Sequence, residues 1–123
     1  MYVEKEKEMK FISAEEFLKQ DEDVQCVFTD YFDHKEMLFE DGSIYFGTFN
    51  YLYTPLLTEG DLREFIEDKT GQIVNLDYIC KECGYAVVLT KGGKSSKPFI
   101  DLGEDVLQAY WKVAIEIAKH KTR

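Results

Sequence analysis

Apolar positions along the chain change period several times, and each change predicts an element. "SAEEFLKQ" opens with Ser13 as a helix N-cap, and Glu16 three residues later completes a capping box. Phe17 and Leu18 would anchor that short helix, and the acidic run Asp21–Asp23 would end it. From Val24 the pattern reads as period two. Val24, Cys26, Phe28 and Phe32 fall in one row, while Val27, Thr29 and Tyr31 fall in the other, which predicts a strand. Met37 to Phe39 and Ile44 to Phe49 flank Asp41-Gly42, a strong hairpin signal. The aromatic run continues through Tyr51 and Tyr53 until Thr54-Pro55 breaks it.

The second half has firmer punctuation. Thr58 and Asp61 are spaced as a cap pair, Leu62, Phe65 and Ile66 form a helical stripe, and Gly71 is a left-handed terminator. Residues 73–80 and 84–90 read as two strands joined by "KECG", and "KGGKSSK" reads as a polar loop. Asp101 and Glu104 are spaced as a cap for the last helix. Along it Val106, Leu107, Tyr110, Trp111, Val113, Ala114, Ile115, Ile117 and Ala118 make a wide apolar stripe, and Lys119, His120 and Lys121 suit its negative end.

The expected architecture is α+β: a mostly antiparallel sheet of about five strands, helices packed on both faces, and a long C-terminal helix. Residues 1–12 are a charged N-terminal segment expected to fray, and 13–123 a single domain. The layout from "YTPLLTEGDLREFIEDKTG" through "YAVVLT" to "DLGEDVLQAYWKVAIEIA" is similar to the ABA-sandwich domains of small bacteriophage proteins. The likeness spans about residues 37–118 and is one of element order and capping pattern, with Phe65 where that family would have a Trp. It implies the sandwich fold and a phage or prophage origin, and it carries over no activity and no site residues.

Charge changes the picture next. The formal net charge is −9. Residues 1–41 hold thirteen Asp/Glu against five Lys, whereas 42–123 hold eleven acids against ten bases. So acidic a front third would be repelled by phosphate backbones, which disfavours direct nucleic-acid binding and favours a protein partner with a basic surface. Asp21, Glu22, Asp23, Asp30, Asp33, Glu40 and Asp41 are the candidates for that acidic face; the plainer reading is solvated charge that aids solubility. No apolar run reaches membrane-spanning length, and the charged start lacks the apolar stretch of a signal peptide. A soluble cytoplasmic location is therefore expected, the host cytoplasm if the protein is phage-encoded.

Cys80 and Cys83 have the spacing of a zinc knuckle, but a second ligand pair is missing, so no metal is expected. If zinc were bound, these two would hold it, alone or in a four-thiolate site shared across a homodimer. The row Val74, Leu76, Tyr78, Cys80 makes Cys80 a core residue, as the row of Val24 and Phe28 does for Cys26, and leaves Cys83 in a hairpin turn with Gly84 at positive φ. A thioredoxin-like role is disfavoured because no helix follows the pair. "GGKSS" lacks the first glycine and the following helix of a phosphate loop. Three readings result. The first is a small accessory protein that binds and inhibits a host nucleic-acid-handling or defence protein. The second is a small-molecule or nucleotide-binding module using Tyr45, Tyr51, Tyr53, Lys91, Lys94 and Lys97, and the third is a zinc domain. No catalytic constellation is legible, and binding rather than catalysis is expected.

Overall fold

The computed structural model describes residues 11–32, 36–39, 44–46 and 53–121. Among these described residues four helices and six strands follow in the order α1 (Ala14–Leu18), α2 (Glu22–Tyr31), β1 (Glu36–Phe39), β2 (Ile44–Phe46), β3 (Tyr53–Pro55), α3 (Glu59–Thr70), β4 (Ile73–Cys80), β5 (Gly84–Lys91), β6 (Lys94–Ser95) and α4 (Val106–Lys121). The class is α+β with a C-terminal helix. The strands, however, form two three-stranded antiparallel sheets, ordered β2-β1-β3 and β4-β5-β6, in place of one five-stranded sheet.

The main correction lies at 22–31, a helix where a strand was expected. Val24, Val27, Phe28, Tyr31 and Phe32 recur at the helical spacings of three and four and turn inward together. Asp21 is the N-cap of this helix and does not merely stop α1. The Gln25 side chain donates to the Gln20 carbonyl at 2.7 Å and secures the joint between the two helices. Within α1, Phe17 is buried but Leu18 is exposed, so one residue of the pair anchors it.

The local signals around α3 hold as read. The Thr58 hydroxyl accepts from the Asp61 N–H, the Asp61 carboxylate accepts from the Thr58 N–H, and Gly71 closes the helix at φ 68°. For α4 the cap is Asp105, whose carboxylate accepts from the N–H groups of Leu107 and Gln108. Asp101 lies outside the helix at φ 59°, in the left-handed region. The "KGGK" stretch is the β5–β6 hairpin, with Gly92 and Gly93 both at positive φ.

In the second sheet Val74, Leu76 and Tyr78 pair with Leu89, Val87 and Tyr85 and share one face. Val74, Val87 and Leu89 on that face join the core beneath α3 and α4. The opposite face of β4 is open: Ile73, Asn75 and Asp77 are exposed, and among the described residues no helix is seen along it. A bulge between Tyr78 and Cys80 shifts the register, so Cys80 pairs with Gly84 and leaves the Val74–Leu76 row. Cys80 is therefore half-buried and not a core residue, and Tyr78 is 53% exposed.

The core centres on Phe28, which is fully buried. Its ring lies 4.8 Å from Phe65 of α3, 5.2 Å from Trp111 of α4 and 6.2 Å from Phe17 of α1. One side chain thus bridges all four described helices. Phe28→Ala removes it and leaves a cavity, and should cost about 3–5 kcal/mol in urea unfolding. Cys26→Ser, two residues away on the exposed side, should change stability by less than about 0.5 kcal/mol. Similar losses in both variants would restore the strand, in which the two positions share a row.

Candidate functional site

Because the α2 stripe turns inward, Glu22, Cys26 and Asp30, each four residues apart, form a line on its outer side. Asp21, Glu22, Asp23 and Asp30 are all exposed. Asp21 makes no side-chain capping bond, although it stands where capping residues normally do. Of the other residues expected on this face, Asp33, Glu40 and Asp41 lie outside the described residues.

A second acidic surface adjoins α2 on α3. Leu62, Phe65 and Ile66 face the core, so the opposite side presents Gly60, Arg63, Glu64, Glu67 and Asp68. These five line a shallow open depression. Arg63 Nε lies 3.4 Å from Glu67 Oε2, a partly exposed pair of small energetic weight. Glu67 Oε2 also accepts from the Val74 N–H at 2.9 Å and ties α3 to the edge of β4.

Tyr31 joins the two surfaces. Its phenol donates to Asp68 Oδ2 at 2.7 Å, and Lys69 Nζ stands 5.2 Å from the ring centroid. Burial, then the hydrogen bond to Asp68 and the charges of Asp68 and Glu64, hold this phenol well above the ordinary tyrosine range. Sequence reasoning missed Glu64, Glu67, Asp68 and Tyr31. The acids are spaced at three and four opposite the apolar stripe, which is a readable signal, but the Tyr31–Asp68 link spans 37 residues and has no local trace.

The described residues of the alternative ligand site are divided between the two sheets and the segment after β6 that holds Lys97. Lys91 and Lys94 belong to β5 and β6, and Lys91, Lys94 and Lys97 are exposed. Tyr45 and Tyr53 lie on β2 and β3, where only the backbone is described, and Tyr51 lies outside the described residues. At the knuckle, Cys80 and Cys83 are half-buried, and Cys26, expected in the core, is exposed on α2. Among the described residues no three potential ligands gather around a metal position. His120 is exposed near the end of α4, and His34 lies outside the described residues. Among the described residues, too, no helix is long and apolar enough to cross a membrane.

Tyr31 generates a pH prediction. The fold holds its phenolic proton more tightly than the unfolded chain does. Its contribution is therefore complete below about pH 10, the unfolded value, and is lost as pH rises beyond it. Tyr31→Phe should cost about 1 kcal/mol at neutral pH by urea unfolding. It should also flatten the decline in stability above about pH 10. An unchanged alkaline slope would remove the Tyr31–Asp68 link from this account.

No protein-family model, curated protein or solved structure matches the chain. Its functional reading therefore rests on the geometry of these surfaces.

Proposed function

We propose that this is a small, non-catalytic accessory protein, of bacteriophage type as its layout suggests, working in the host cytoplasm. It binds a nucleic-acid-handling or defence protein and occludes that protein's basic site. One observation carries the reading. The acids of α2 stand outward, and Asp21 at the N-cap makes no capping bond that would explain it as a structural residue. Glu22 and Asp23 favour the positive end of the helix dipole, which two acids already satisfy. Glu64, Glu67 and Asp68 extend the negative field across the Tyr31 joint, so a basic partner would meet acids from two helices. Such a field acts chiefly on the rate of encounter and on partner choice.

The experiment is a kinetic binding assay against a panel of basic nucleic-acid-binding host proteins, each in competition with duplex DNA. A true partner should be released from DNA by this protein, with association slowing steeply as salt rises. The triple variant Asp21→Lys, Glu22→Lys, Asp23→Lys should slow association about tenfold or more at low ionic strength. Tight binding that ignores both salt and charge reversal would refute the acidic-face reading.

A further inference from the structure

The knuckle at the end of β4 has a feature that turn formation alone does not require. The Cys83 N–H points back along the turn and donates to Cys80 Sγ at 3.3 Å. Residues 81–83 form the turn between β4 and β5, and the 3.3 Å contact sets the Cys83 backbone directly against the Cys80 sulfur. Such closeness is what a disulfide between the two positions needs.

The turn is also fixed from outside. Gly84 has φ 74°, and a Cβ there would collide with the Gly103 carbonyl, which already accepts from the Tyr85 N–H at 2.8 Å. The thiols are thus held together by the backbone rather than meeting by chance. β4 is the edge strand of its sheet, and both cysteines are half-buried, so a small reagent can reach them. Among the described residues no third ligand converges on them, which favours chemistry that the pair completes alone over a metal that needs further donors.

We propose that Cys80 and Cys83 are a dithiol site that closes to an intrachain disulfide by exchange with a low-molecular-weight disulfide of the glutathione class. In the first step the Cys80 thiolate attacks one sulfur of the glutathione disulfide. A Cys80–glutathione bond forms, the S–S bond of the reagent breaks, and one glutathione leaves as thiolate and takes up a proton. In the second step Cys83 gives up its proton and attacks the Cys80 sulfur, expelling the other glutathione. The protein loses two electrons and two protons, and one glutathione disulfide becomes two glutathione thiols. The geometry sets the order. Cys80 Sγ receives the Cys83 backbone N–H, a donor that also serves a thiolate, and the neighbouring Cys80 pushes the Cys83 thiol up, which leaves Cys83 as the resolving partner. β5 follows directly, so no helix terminus activates either sulfur. The site is therefore one that is modified, and not a thioredoxin-like catalyst.

The test uses the full chain carrying Cys26→Ser, which removes the exposed third thiol. The protein is equilibrated without oxygen in glutathione buffers of rising oxidised fraction, quenched in acid, alkylated and weighed intact. The expected product in excess glutathione disulfide is a monomer lighter by two hydrogens, unalkylated and free of glutathione, which reduced glutathione converts back. Adding Cys83→Ser should halt the reaction at a single glutathione adduct on Cys80, with Trp111 fluorescence checking that this variant is folded. Four results would overturn the proposal: two thiols still alkylated in excess oxidant, a stable double glutathione adduct, a covalent dimer, or co-purified zinc that shields both thiols until chelated. The measurement on the intact pair stands even if the second variant fails to fold.

Discussion

Phe28 is the point on which the described helices converge. A ring buried from all sides and set among Phe17, Phe65 and Trp111 restricts where α1, α2, α3 and α4 can lie, because interiors pack at crystal-like density and leave little room to slide. Tilted and offset ring pairs of this kind add roughly 0.5–1.5 kcal/mol each beyond their buried area. Tyr31 and Phe32 extend the cluster toward the surface, with Tyr31 meeting Phe65 edge-on at 5.1 Å.

That inward constraint determines what faces out. Once Val24, Phe28 and Phe32 are committed to the core, Glu22, Cys26 and Asp30 have only solvent to face. The same reasoning on α3 places Glu64 and Asp68 opposite Leu62, Phe65 and Ile66. Tyr31 stands at the boundary, with its ring in the aromatic cluster and its hydroxyl on an acid. Packing and surface charge are therefore two sides of one arrangement. A change at Phe28 would be expected to disturb the acidic surface as well as the core.

What the sequence revealed depended on whether a signal was local. The Thr58/Asp61 box, Gly71 and the α4 stripe are complete within a few residues, and the structure holds them nearly as read. The period-two reading of α2 fails for an identifiable reason: Val24, Phe28 and Phe32 are four apart, a spacing compatible with both a strand row and a helix stripe. Val27 and Tyr31, at three from Val24 and Phe28, carry the deciding information, whereas the period-two reading sets them in a second row with Thr29. Cys80 left its row because one bulge reverses the parity of everything after it, and period counting assumes no bulge. Asp105 displaced the expected cap at Asp101 because the helix starts at Val106. For the surface, the exposed acids of α2 follow from residue type, whereas their junction with α3 is tertiary and had no sequence signature.

The most direct check on this account is a nuclear Overhauser measurement on the isotope-labelled protein in solution. The account predicts continuous amide-to-amide contacts from Glu22 to Tyr31, together with contacts from the Phe28 ring to both the Phe65 ring and the Trp111 indole. Strong alternating backbone contacts of extended chain across those residues, or a Phe28 ring with neither partner, would contradict it.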